Sequence, residues 1–230
     1  MKRILLKISW EAFSWSEWAI DISKAQELWD FISEFHGQGY QIAIVLGGGN
    51  IYRGSKLIEA WLNPTDSHSM SMLSTVFNAV TFRNILDQLD IESAVLDALH
   101  VEFLQTYTSE TWKKYLQEGK IVICSSGTGN PFFTTDTTWV LRALELNCEA
   151  VIKLTKVDGV YSKDPLKYDD AERFSQISYN DFIAKDLQVF DTTGIILARD
   201  NHLPLYVSKI GDISALRDIL SWKQAGTKIF

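Results

Sequence analysis

The chain has 230 residues, 46% of them hydrophobic, and a net charge of −7. That is enough length for one α/β domain with a sizeable core, and the charge lacks the basic stripe of a nucleic-acid binder. No apolar run approaches the roughly 20 residues that cross a bilayer, and the stretch after Met1-Lys2-Arg3 is too short for a signal peptide. Two cysteines, Cys124 and Cys148, make no disulfide framework, so the cytoplasm is the expected compartment.

The Ile and Leu run at 3–9 predicts a buried strand. Ala25, Leu28, Trp29, Ile32 and Phe35 recur near the 3.6 period of an amphipathic helix, over 23–35. Residues 42–46 are a continuous apolar strand that runs into Gly47-Gly48-Gly49-Asn50. A helix over 70–89 and a strand over 91–96 follow, then a helix over 110–118 and a strand over 121–124. The second of these strands ends in the turn-rich Ser125-Ser126-Gly127-Thr128-Gly129-Asn130-Pro131. A helix over 136–146 and a strand over 150–154 complete the alternation, and Asp158-Gly159 reads as a turn with a structural aspartate. Strand, loop and helix in repetition predict α/β architecture: three layers, with a mostly parallel central sheet covered on both faces. No linker, repeat or low-complexity segment divides the chain, so residues 1–230 are expected to form a single domain.

Ligands of such sheets sit beyond the carboxyl ends of the strands. Three polar loops are predicted at that edge: Lys7-Ile8-Ser9, the triple glycine, and 127–135. Glycine lets backbone N–H groups approach an anion. Thr134 and Thr135 can cap the helix near Asp136 and still favour phosphate there. His36, His100 and His202 lack metal-ligand spacing, and Asp169-Asp170 with Glu172 reads as a solvated charge run. There is no Gly-x-x-x-x-Gly-Lys-Ser/Thr loop and no protein-kinase motif set.

The motifs present resemble those of the amino-acid-kinase superfamily, and within it the bacterial uridylate kinases, over almost the full length. They are residues 2–9, Gly47-Gly48-Gly49-Asn50-Ile51-Tyr52-Arg53-Gly54, the run from Gly127 to Asp136, Thr155-Lys156-Val157-Asp158-Gly159-Val160-Tyr161, Asp164-Pro165 and Ala198-Arg199-Asp200-Asn201. Ten ordered matches in Gly-Thr-Gly-Asn-Pro-Phe-Phe-Thr-Thr-Asp are specific; a lone triple glycine would be weak.

The resemblance implies transfer of the ATP γ-phosphoryl group to UMP, giving UDP, with Mg²⁺ accompanying ATP, and a homohexamer under nucleotide control. From charge, spacing and hydropathy, no protein metal site, nucleic-acid partner or membrane partner is expected. By position, Lys7, Arg53, Asp136 and Asp191 are expected to be catalytic, the two aspartates organising cations near Lys7 and serving Mg²⁺-related work. Lys7, Ile8, Ser9, Trp10, Gly49, Arg53, Thr155, Lys156, Tyr161 and Asp164 fall on the ATP side. Gly48, His68, Thr128, Gly129, Asn130, Pro131, Phe132, Phe133, Thr134 and Thr135 fall on the UMP side. These residue types suit phosphoryl transfer, which is largely positioning and charge neutralisation.

The departures from the family are concentrated. Trp10, Trp15, Trp18, Trp61 and Trp222 stand where the family has, or commonly has, glycine, in a chain with eight Trp and only 13 Gly. An indole at residue 10 would fill the space through which N–H groups reach phosphate. Repeated Trp for Gly matches a gene that uses UGA for glycine, translated with a table that reads UGA as Trp. Trp29 fits the apolar face of its helix; Trp112 and Trp139 stay open. His68 aligns with a family Asp that holds the UMP ribose, and Ser71 with a family Gly; Asp66 is an alternative if the loop shifts by two. The competing readings are a nucleotide binder blocked by Trp10, a superfamily kinase for a carboxylate or carbamate, and a purely structural protein.

Overall fold

The computed structural model describes residues 2–9, 22–52 and 62–230. Among them, eleven strands and seven helices run in the order β1 (Arg3–Ile8), α1 (Ile22–Gly37), β2 (Gln41–Leu46), α2 (Pro64–Gln88), β3 (Ser93–Asp97), β4 (Gln105–Thr106), α3 (Ser109–Gln117) and β5 (Ile121–Ser125). There follow α4 (Thr135–Glu145), β6 (Ala150–Thr155), β7 (Val160–Tyr161), β8 (Arg173–Phe174), β9 (Gln176–Ile177), α5 (Tyr179–Ala184), α6 (Thr192–Asp200), β10 (Leu205–Lys209), α7 (Ile213–Leu220) and β11 (Thr227–Ile229).

Nine strands form one sheet in the order β4-β3-β5-β2-β1-β6-β10-β11-β9, and β7 and β8 form a separate antiparallel ribbon. Every neighbouring pair in the large sheet is parallel except β10 with β11. Alternation along the strands sends side chains to two cores. Leu6, Ile8, Ile44 and Ile152 pack with Leu28 and Ile32 of α1, Phe82 and Leu86 of α2, and Leu216 and Ile219 of α7. Leu5, Val45, Val122 and Val151 pack on the other face with Trp112 and Leu116 of α3, Trp139 and Val140 of α4, and Ile195 and Ala198 of α6. The result is the three-layer sandwich expected from the sequence.

Boundaries differ where local chemistry overrides periodicity. The second helix starts at Pro64, six residues before the apolar pattern at 70, because the Asn63 side chain accepts the Thr65 N–H and Pro64 fits the first turn. The third strand begins at Ser93 rather than 91. The fourth helix starts at Thr135, with Thr134 as its cap: its hydroxyl accepts from the N–H groups of Asp136 at 3.0 Å and Thr137 at 3.3 Å.

The four described tryptophans divide sharply. Trp112 and Trp139 are buried in the core and Trp29 packs against it. Trp222 is 54% exposed and has φ of +59°. It follows α7, where the Trp222 N–H reaches the Ile219 carbonyl and the Lys223 N–H the Asp218 carbonyl. Those two bonds define a Schellman ending, whose left-handed residue is most often glycine. Trp10, Trp15, Trp18, Trp61 and Arg53 lie outside the described residues.

Candidate active site

β1, β2, β5 and β6 all point their carboxyl ends to one edge, and a cleft of about 800 Å³ lies there. Its lining brings together Lys7 and Ser9 after β1, Gly47, Gly48 and Gly49 after β2, and Gly127, Asn130, Phe133, Thr134, Thr135 and Asp136 around the start of α4. The three loops predicted to meet do meet.

The triple glycine is shaped by α2. A Cβ on Gly48 would lie 2.8 Å from the Ser74 Cβ and 3.1 Å from the Ser71 carbonyl oxygen, so helix and loop touch where only glycine fits. Asn78 donates to the Gly47 carbonyl at 2.6 Å and fixes the loop from the same helix. Thr75, one turn earlier, accepts the Ser126 N–H at 2.8 Å. A single helix therefore sets the spacing between the loop after β2 and the loop after β5.

The 125–130 loop has its own anchor. Asp97 is fully buried and accepts from the Ser125 and Ser126 hydroxyls and from the N–H groups of Leu99 and Val101. Gly129, at φ +79°, lies against Ala98, where a Cβ would come within 2.8 Å of the carbonyl oxygen. Arg142 of α4 donates to the Gly127 carbonyl at 2.9 Å. The loop is thus held on three sides, with its outer face left to the cleft.

Three charged side chains meet at and just beneath the floor. Lys7 on β1 and Lys153 on β6 are register partners on adjacent parallel strands, both buried. Asp136, in the first turn of α4, pairs with both: 3.6 Å from the Lys7 Nζ and 3.2 Å from the Lys153 Nζ. Its Oδ1 also accepts the Trp139 indole N–H at 3.1 Å. Burial opposes the Asp136 carboxylate, but the charges of Lys153 and Lys7 outweigh it and hold its pKa below the ordinary 3.8. Burial pushes the Lys153 ammonium down to about 8, a fall that Asp136 only partly offsets.

Thr134, the cap of α4, also donates to Asp191 Oδ2, and Thr137 donates to Asp191 Oδ1 at 2.9 Å. Asp191 is itself the cap of α6, accepting the Gly194 N–H at 2.7 Å. The positive end of α4 therefore faces the cleft, an arrangement that favours anions.

Other expected residues lie apart from this lining. Ile8 is a core residue of β1. Thr128, Gly129, Pro131 and Phe132 belong to the anchored loop without lining the cleft, and Phe132 instead meets the His68 ring at 4.9 Å. His68 does line the cleft, as does Ser71; Asp66 is exposed and does not. Thr155 ends β6 and its hydroxyl accepts the Val157 N–H at 3.1 Å, with Lys156 exposed beside it. Tyr161 donates to Asp158 at 2.6 Å, and Asp164 accepts the Leu166 N–H and pairs with Lys167. These four stand at or beyond the end of β6, outside the lining of the cleft that holds Lys7.

Sequence reasoning missed Lys153, Gln188, Thr75 and Thr138, all but the first of which line the cleft. Lys153 had a signal: one charge inside the apolar run Ala150-Val151-Ile152-Lys153-Leu154, which burial tolerates only with a partner. Gln188, in a short connection, had none.

A cleft at the carboxyl edge of a parallel sheet, with Lys7 on its floor, Lys153 buried beside it, and a glycine loop and a helix N-terminus on its rim, defines an α/β protein built to handle phosphate groups. Residues 2–209 match the amino acid kinase family, and the chain belongs to it. It is 40% identical over 228 residues to a uridylate kinase of Legionella pneumophila (strain Paris), covering 98% of this chain and 92% of that one. It is 41% identical over 230 residues to a uridylate kinase of Pasteurella multocida (strain Pm70), covering 99% and 95%. Among solved structures, the UMP kinase from Bacillus anthracis superposes with a TM-score of 0.93 at 30% identity, covering 99% of this chain and 95% of that one.

Proposed function

We infer that the protein is an ATP-dependent nucleoside monophosphate kinase that transfers the γ-phosphoryl group of ATP to UMP, giving UDP and ADP. The observation that carries this reading is the Lys7–Asp136–Lys153 floor beside Gly47–Gly49, in a chain about 40% identical to uridylate kinases over nearly its whole length. An oxygen of the UMP phosphate attacks the γ-phosphorus in line as the bond to the β,γ-bridging oxygen breaks, and the protein's task is positioning and charge neutralisation.

Lys7 meets the transferring group, and the N–H groups of the glycine loop serve its oxygens. Gly48 faces the UMP phosphate and Gly49 the ATP side, with Arg53 clamping phosphate through its planar fork. Asp136 and Asp191 organise the surrounding cations and helix ends. ATP lies toward Ser9, residue 10, Thr155, Lys156, Tyr161 and Asp164; UMP lies toward His68 and the 128–135 loop. Among the described residues, no group of three His, Cys, Asp or Glu could hold a metal ion, and donors already engage both aspartates. Mg²⁺ bound by the nucleotide's own phosphates and water fits this chemistry, neutralising charge on the transferring group.

The whole chain acts as a single kinase domain, and a reducing cytoplasm suits its buried free thiols, Cys124 and Cys148. Self-association, hexameric by family resemblance, is supported by Met70, Leu73 and Phe77, which share an exposed face of α2. We also propose that residues 10, 15, 18, 61 and 222 are glycine in the natural protein. Trp222 supports this through its exposed left-handed position, whereas the other three described tryptophans pack in or against the core. The test is a coupled assay of the glycine form with UMP, CMP, AMP, carbamate and acetate beside MgATP. The expectation is turnover with UMP far above the rest; turnover confined to a carboxylate or carbamate would overturn the reading.

A further inference from the structure

We propose that Lys153 is a positioning residue for phosphoryl transfer, holding Asp136 and thereby Lys7 from beneath the cleft floor. The inference rests on the kinase reading above and adds a residue that the sequence motifs did not supply.

Lys7 and Lys153 sit side by side on β1 and β6 at the same register, so their side chains leave the same face of the sheet. Two buried ammonium groups so close repel each other, and Asp136 is seated between them. The division of its contacts is uneven. Lys153 reaches both Asp136 oxygens at 3.2 Å, whereas Lys7 lies 3.6 Å from one oxygen and donates to the Ser9 hydroxyl at 3.1 Å. Lys7 lines the cleft and Lys153 does not. Lys153 is therefore the fixed partner and Lys7 the looser one, free to turn toward a phosphate.

Charge counting points the same way. Lys7 and Lys153 together balance Asp136 and the nearby Asp191, whose charge also acts on Lys153; without Lys153 the cluster would turn net negative toward an anionic ligand. The ammonium of Lys153 also donates to the Val189 carbonyl and lies 4.6 Å from the Phe190 ring centroid. It so ties the start of α4 to the connection carrying Gln188, which lines the cleft. Lys153 does not line the cleft, so its effect passes through a neighbour; two contacts to the Asp136 carboxylate against one to the Val189 carbonyl make Asp136 the path, and the cycle below tests it against the route through Gln188.

The test is a double-mutant cycle on the full-length glycine form, reading kcat and KM for UMP and ATP. Lys153→Met, which keeps the length of the stem between Trp139 and Phe190, is expected to lower kcat roughly 10- to 100-fold with both KM values changed less than about threefold. In an Asp136→Asn background the same substitution is expected to change kcat by less than about twofold, because the path it acts through is gone. If Lys153→Met does not fold, Lys153→Gln, which keeps a hydrogen-bond donor without the charge, takes its place in the cycle. Wild-type kcat in the single variant, or the same fold loss in both backgrounds, would overturn the proposal. An unaltered enzyme that makes no UDP would instead overturn the kinase reading, and this one with it.

Discussion

Trp222 occupies a backbone conformation that an L-residue with a bulky side chain adopts at a cost of about 1–2 kcal/mol. Its φ of +59° is imposed by the Schellman bonds that end α7, and its indole, 54% exposed, recovers little by burial. Trp222→Gly is therefore expected to raise stability by about 1 kcal/mol, read as a higher urea midpoint at unchanged slope. Trp139→Gly, by contrast, would empty a fully buried site stacked on Phe190 at 4.8 Å and would destabilise the protein. An equal response at the two positions would remove the physical ground for reading residue 222 as glycine. The sequence could separate Trp29 from the suspect tryptophans by helical period alone. Trp112 and Trp139 needed the fold, because burial across layers has no local signature.

At the scale of elements, the start of α4 joins β1, β6 and α6 through Asp136, Thr134 and Thr137. Since the folded pKa of Asp136 lies below its ordinary 3.8, its ionised form contributes stability that is fully present above pH 3.8 and lost as pH falls through the lower folded value. Asp136→Asn should cost about 3 kcal/mol at pH 7, because it leaves Lys153 without its partner. Urea titrations of both proteins should then converge as the pH drops below 3.8; a gap that stays constant with pH would contradict the assigned pairing. Apart from the two-residue β4, the elements through β6 were legible because runs of Ile, Val and Leu alternate with amphipathic segments. Beyond residue 155 the strands shrink to two or three residues at β7, β8, β9 and β11, too short to carry a period. The helices there, α5, α6 and α7, were not expected from the sequence; their caps Ser178, Asp191 and Asp212 were the local signal that could have found them.

For the whole molecule, α2 has two jobs on opposite sides. Ser71, Ser74, Thr75 and Asn78 hold the phosphate-facing loops, while Met70, Leu73 and Phe77 face outward, Phe77 with 69% of its surface exposed. Phe77→Asp is expected to reduce the molar mass measured by light scattering, with an unchanged helical circular dichroism signal; an unaltered mass would mean that this face is not the contact between copies. The site's frame was readable from loops that follow strands, because topology fixes where carboxyl ends meet. Of its charged groups, Lys7 and Asp136 were expected through the resemblance, but Lys153 was not, because only the strand register sets the two lysines side by side.

The most direct measurement is UDP formation from UMP and MgATP by two purified proteins, the chain as written and the same chain with glycine at 10, 15, 18, 61 and 222. Steady turnover is expected from the glycine form and a large loss from the tryptophan form, because an indole cannot replace glycine where backbone N–H groups must approach phosphate. Nucleotide binding without UDP from the glycine form would contradict it.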